Sequence, residues 1–196
     1  ISIAFSDLTG NAGDAVTATT NSSSVTYDRA VPTLSAVTVT SNNDNSAYAK
    51  EGDIVTLSFT SSENLQSDPT VTIDGNAATV SGSNTTWTAA YTMQSGDTEG
   101  DVNFTIDFLD LASNSGSRVT TLTSGDKIVY DETVPTLPTV DISSDNSNGA
   151  TFAKVGDVIT ISVSASENIQ TPTVTIAGNA AAIATGSNGE RVYTAT

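Results

Sequence analysis

Cysteine and histidine are both absent from this 196-residue chain, and with them goes most of the chemistry that makes enzymes. Ser-His and Cys-His nucleophilic pairs cannot be assembled, and the usual transition-metal sites lose their main ligands. The missing cysteine does not assign a compartment, since bacterial proteins work outside the cell without disulfides. Basic residues are scarce too: six Lys and Arg stand against 22 Asp and Glu, a net charge of −16. Nucleic acid and anionic membrane both require a basic face, so neither is expected as a partner. The same charge favours solubility and a hard cation such as calcium. There is no apolar run of membrane-spanning length and no signal peptide. The chain opens at Ile1 in the middle of a repeat, so any targeting segment is expected outside it.

What is present is a repeat. Val31-Pro32-Thr33-Leu34 returns 103 residues later as Val134-Pro135-Thr136-Leu137. Phe5, Asp7, Leu8, Asn11 and Gly13 return at the same offset as Phe108, Asp110, Leu111, Asn114 and Gly116. A second set is shifted by 104: Ala49-Lys50, Gly52-Asp53 and Ser62-Glu63-Asn64 become Ala153-Lys154, Gly156-Asp157 and Ser166-Glu167-Asn168. Thr70-Val71-Thr72-Ile73 and Gly75-Asn76-Ala77-Ala78 recur as Thr173-Val174-Thr175-Ile176 and Gly178-Asn179-Ala180-Ala181. The expected organisation is the last strands of one repeat in 1–33, a complete repeat in 34–136 and the front of a third in 137–196. Arrays of this kind generate length.

Ser and Thr make up about three residues in ten, and the aliphatics are mostly Val, Ile and Leu, the palette of two-faced sheets. Val37 and Val39 alternate with Thr. Val55, Leu57 and Phe59 do the same, echoed by Ile159, Ile161 and Val163. Val71 and Ile73 run into Asp74-Gly75-Asn76, a hairpin signal. Trp87, Ala89, Tyr91 and Met93 give a further strand, then Val102, Phe104, Ile106 and Phe108, and a last one through Val119 and Ile128-Val129-Tyr130. Helical periodicity is absent. The pattern predicts an all-β chain of tandem immunoglobulin-like β-sandwiches arranged end to end, each unit near the ~100 residues typical of that fold.

Asp110-Leu111-Ala112-Ser113-Asn114, Asp7-Leu8-Thr9-Gly10-Asn11 and Tyr130-Asp131-Glu132-Thr133-Val134-Pro135 resemble the bacterial Ig-like repeats of very large surface adhesins. The likeness covers essentially the whole chain. It implies structural spacer repeats of a long cell-surface adhesin or extracellular filament, placed at the cell surface or secreted, with neighbouring repeats as partners. Some relatives hold calcium at the junctions between domains. The alternative reading is a module that binds a surface glycan or protein ligand through loops at one end.

In such a sandwich the loops carrying Glu63 and Asp110 share an end with the incoming linker, which carries Asp28. Three carboxylates would meet at one junction, with Asn114 and backbone carbonyls to complete a shell. Asp131 and Glu167 are the corresponding set at the next. Carboxylates that close repel one another, and a hard cation with oxygen ligands relieves the repulsion. Extracellular calcium modules bind at roughly 10⁻⁴ to 10⁻³ M. The competing reading is that these are turn residues, because Asp and Asn side chains bond nearby backbone amides. Shared ancestry would preserve either.

A second acidic group, Asp44, Asp97, Glu99 and Asp101, lacks EF-hand spacing and reads as a solvated loop. Trp87 aligns with Tyr193 and reads as core rather than a sugar platform. The Thr-x-Thr pairs read as ordinary strand residues, because twisted strands do not present the flat ranks that an ice-binding face needs. Asn21, Asn84 and Asn103 sit in Asn-x-Ser/Thr sequons that this composition produces by chance. Paired carboxylates could cleave glycosides only in a cleft, which a narrow sandwich lacks. The chain is read as non-enzymatic.

Overall fold

The computed structural model describes residues 1–185 and the backbone of 192–195. The described residues are all-β, with no helix and therefore none long and apolar enough to cross a membrane. The chain divides into two compact units, Ile1–Glu132 and Thr133–Thr196.

The first unit holds three sheets. Strands β1 (Leu34–Ser41), β3 (Ile54–Ser61), β6 (Thr79–Ser83) and β7 (Thr86–Thr92) form an antiparallel sheet in the order β1-β3-β7-β6. Strands β4 (Thr70–Ile73), β5 (Asn76–Ala77) and β9 (Phe104–Asp107) form a second, ordered β5-β4-β9 and extended by a bridge from Ile106 to Val119. In the third, β10 (Val129–Tyr130) lies between β2 (Tyr48–Ala49), which it meets in parallel, and β8 (Gly100–Asp101). Alternation decides what goes inside: Val55, Leu57 and Phe59 are buried while Thr56, Ser58 and Thr60 are only partly covered. Their side chains join Trp87, Ala89, Val71, Ile73, Phe104 and Ile106 in one apolar cluster. Inward faces of separate antiparallel sheets thus meet in a shared core, an arrangement consistent with a β-sandwich.

The Asp74-Gly75 signal lies between paired Ile73 and Asn76, a two-residue hairpin loop with both central residues at positive φ, 48° and 79°. That is the type I′ geometry whose twist matches the flanking strands, and Gly75 carries its second position without steric cost. Trp87 is buried against Gly82, so it is a core residue. Two details depart from strict alternation. A register shift between Ser35 and Thr38, with Ala36 at φ 51°, puts one extra residue into β1, and Val39 beyond it is half-buried against the core. Val119 joins the sheet through a single bridge rather than a full strand.

Ahead of β1 the first unit carries a lone hairpin, bridged from Ile3 to Val16 and from Ser6 to Ala12. These pairings repeat those of Ile106 with Val119 and Leu109 with Ser115, residue for residue. The second unit reproduces the first sheet. Strands β11 (Thr139–Ser144), β12 (Ile159–Ser164), β15 (Ile183–Thr185) and β16 (Val192–Ala195) are ordered β11-β12-β16-β15, and β13 (Thr175–Ile176) pairs with β14 (Asn179–Ala180). Val163 faces Tyr193 across the ladder as Phe59 faces Trp87. The Tyr193 side chain lies outside the described residues.

Candidate metal centre

Three segments that are far apart in sequence are pinned together at the base of the first unit. The linker residue Thr33 and the loop residue Ser62 exchange hydrogen bonds: Thr33 N–H donates to Ser62 Oγ at 3.0 Å, and Ser62 N–H donates to the Thr33 carbonyl at 2.9 Å. The second unit repeats this latch between Thr136 and Ser166, with both distances at 2.9 Å. On its other side the Ser62 loop reaches the Asp110 loop through a Leu65–Asp110 bridge and a bond from Gln66 N–H to the Leu109 carbonyl at 3.0 Å. Asp28, Glu63 and Asp110 thereby converge, each offering a carboxylate oxygen within 4.8 Å of the others.

The repeated Asp-Leu-x-x-Asn loop has a local cause. Asp110 Oδ1 accepts the N–H groups of Ala112 and Asn114, both at 2.8 Å, and Oδ2 accepts the Asn114 side-chain amide at 2.7 Å. Asp7 does the same with Thr9 and Asn11. Burial pushes the Asp110 carboxyl upward, but the bonds from Asn114, Ala112 and Ser113 outweigh it and hold the group below the usual carboxylate range. Asn114 spends its amide nitrogen on holding Asp110. The repeated Gly-Asp pair is also a turn device: Asp53 Oδ2 accepts Asn43 Nδ2 and Lys50 N–H at 2.6 and 2.9 Å, and Asp157 repeats the pattern with Asn146 and Lys154.

Glu63 is different. It is half-buried, and among the described residues no hydrogen bond supports its charge; burial first, then the charges of Asp28 and Asp110, push its carboxyl above the ordinary glutamate range. Asp28 accepts the N–H of Ala30 at 2.9 Å. Asp131 belongs to the first unit, where its N–H donates to the Ala49 carbonyl at 2.9 Å. Glu167 belongs to the second, half-buried, with one carboxylate oxygen fully enclosed and without a hydrogen-bond partner.

Two oxygens bound to one calcium ion stand at most about 5 Å apart, twice a bond of 2.3–2.6 Å. The 4.8 Å spread of the three carboxylates fits that limit, and the all-oxygen donor set suits a hard cation.

The other acidic group is absorbed by loop ordering. Asp97 accepts Gln94 N–H, Asn76 Nδ2 and Tyr91 OH at 2.7, 3.0 and 3.1 Å, and Lys127 pairs with Asp101 at 2.7 Å. Sequence reading missed the centre of this end, Tyr130. It is fully buried, with its hydroxyl 2.8 Å from the Gln94 carbonyl and 2.9 Å from Glu132 Oε2. The signal available was a tyrosine closing an apolar run, Ile128-Val129-Tyr130. No known family model matches the chain, and no curated protein matches it in sequence.

Proposed function

We propose that the chain is a run of immunoglobulin-like repeats acting as a spacer in a long cell-surface adhesin or extracellular filament, with calcium stiffening its junctions. The observation that carries the reading is the convergence of Asp28 from the linker with Glu63 and Asp110 from two loops. A cation held there ties the linker to the body of the following repeat. The strand orders support the repeat class: β1-β3-β7-β6 matches the ABED sheet of constant-type immunoglobulin domains, and β4, β9 and the bridged Val119 stand in the order C, F, G, with β5 an added hairpin partner of β4. The Thr33–Ser62 latch, repeated inside the second unit at Thr136–Ser166, ties the segment entering each first strand to the loop that carries the glutamate. Pro32 and Pro135 restrict the backbone beside it.

Asp28, Glu63 and Asp110 would supply three of the six to eight oxygens that calcium takes, leaving backbone carbonyls and water for the rest. The binding partner is then the neighbouring repeat, and the work done is mechanical.

Isothermal calorimetry of the chain with calcium tests the reading. Saturable binding at roughly 10⁻⁴ to 10⁻³ M is expected, abolished in Glu63→Gln. Absence of binding up to about 10 mM, ten times the weak end of that range, would remove calcium from the account.

A further inference from the structure

Strand β1 keeps one edge unpaired inside the complete repeat. Beyond its bulge the hydrogen-bonding phase is set by Asn42, whose N–H donates to the Ile54 carbonyl at 3.2 Å. The pairs Thr40–Thr56 and Thr38–Ser58 keep that phase, so Thr38 and Thr40 turn their backbone groups toward β3, and Val39 and Ser41 turn theirs away. The Val37 carbonyl also faces away and is capped by Thr123, whose N–H and Oγ1 reach it at 2.9 and 3.3 Å. Among the described residues nothing pairs with the outward groups of Val39 and Ser41. Two cavities of about 220 and 310 Å³ lie here, and Val39 and Lys127 line both. The larger is lined by apolar Val102, Phe104 and Leu122, and the smaller by Thr40, Ala47 and Asp126. Exposed edges are normally blunted by charge or proline; β1, Leu34–Ser41, contains neither.

We propose that this slot takes an extended, basic segment of another polypeptide, added to β1 as a further strand. Outward N–H and C=O groups on alternate residues are matched by another backbone, and a pocket beside them takes alternate side chains. The slot has β1 on one side and residues 122–128 on the other, which admits a single strand and not the edge of a second sheet. Charge selects the segment. Lys127 is spent on Asp101 at 2.7 Å, whereas Asp126 is exposed and has no hydrogen bond or ion pair among the described residues. A chain of net charge −16 attracts Lys and Arg and repels a second copy of itself. None of these residues belongs to the carboxylate cluster, so this site stands whether or not calcium binds there.

Three capped heptapeptides, read by fluorescence anisotropy, test this: alternating Lys and Val, the same with N-methylated valines, and alternating Glu and Val. The first is expected to bind saturably and the glutamate peptide not at all. N-methylation keeps the charge but removes backbone pairing, and should weaken binding at least about tenfold, the upper range for one lost hydrogen bond. Ser41→Pro should do the same with an unchanged urea midpoint, since an edge strand tolerates proline where the N–H faces outward. Asp126→Asn should weaken it about two- to fivefold. Hydrogen exchange on the unaltered chain should show the Val39 and Ser41 amides becoming protected when the lysine peptide is added, which keeps the test decisive if Ser41→Pro misfolds. Equal binding of the N-methylated peptide, no protection at Val39 and Ser41, or protection there on concentrating the chain alone, which would make a second copy the occupant, would each overturn the proposal.

Discussion

Gly116 and Gly13 offer the same substitution in two settings that differ only in burial. A Cβ at Gly116 would lie 2.2 Å from Phe108 Cε2, and one at Gly13 would lie 2.3 Å from Phe5 Cε2. Neither glycine has the positive φ that penalises alanine, so the backbone accepts both changes and the ring must move. Phe108 is 5% exposed and has nowhere to go, whereas Phe5 is 54% exposed and can swing into water. Overpacking of a filled core costs about 1–3 kcal/mol, and outright expulsion of a phenylalanine costs about 3–5 kcal/mol. Alanine returns about 0.4–1 kcal/mol by narrowing the unfolded ensemble. Gly116→Ala is therefore expected to destabilise the first unit by about 2 kcal/mol, and Gly13→Ala to be neutral or slightly stabilising. Urea titration followed by Trp87 emission isolates the first unit, because this is the sole tryptophan and it lies in that unit's core. The midpoint for Gly116→Ala should fall by roughly 1 M with the slope unchanged. Equal shifts for the two variants, or none for Gly116→Ala, would refute the reasoning that burial decides the effect of this contact.

Two further outcomes are expected. Burial, the hydrogen bond to Glu132 and the carboxylates around it hold the Tyr130 phenol well above its usual titration range. Tyr130→Phe should cost about 0.5–1.5 kcal/mol of unfolding free energy for the lost hydrogen bond, read in the same urea assay and absent from the exposed Tyr27→Phe. Glu63 has a raised carboxyl pKa in the fold, so its ionisation costs stability above that pKa, and the cost vanishes as pH falls through it. Calcium requires the ionised form. Midpoints measured against pH should show a calcium increment that is full at pH 7 and fades as pH falls through the raised Glu63 pKa toward the ordinary carboxyl range. Without calcium, Glu63→Gln should be more stable than the parent at pH 7 and indistinguishable from it once Glu63 is protonated. An increment that persists into acid would place the cation elsewhere.

Much of this architecture is legible in the sequence because a two-residue period survives wherever one face is buried. Val55-Thr-Leu57-Ser-Phe59 announces β3 without help, and Asp74-Gly75 announces its hairpin because few other pairs accept two positive φ angles. The strands that escape are those with little apolar content. Strand β6, Thr79–Ser83, carries one valine and a glycine that makes room for Trp87; a Cβ at Gly82 would lie 2.3 Å from the Thr86 carbonyl. Its pairing is dictated by the tryptophan opposite, which no local pattern reveals. Strands β2 and β8 are two residues each and exist because β10 runs between them. At the candidate site, the recurrence of Asp110 and Glu63 was visible but their different physical roles were not. Asp110 recurs because three donors hold its loop closed; Glu63 recurs without one.

That difference is what gives the cluster a mechanical reading. A carboxylate supported by N–H groups is already content, and a cation gains little by approaching it alone. Glu63 is half-buried and faces two like charges, and among the described residues no donor reaches its carboxylate, so its charged form carries a cost that a proton or a cation can relieve. Its loop is latched to the linker through Ser62 and to the body of the repeat through Leu65 and Gln66. Any ion that relieves Glu63 therefore draws on Asp28 from the linker and Asp110 from the body at once. On the proposed reading binding and stiffening are one event, because an ion shared by these three carboxylates would hold the Asp28, Glu63 and Asp110 segments together.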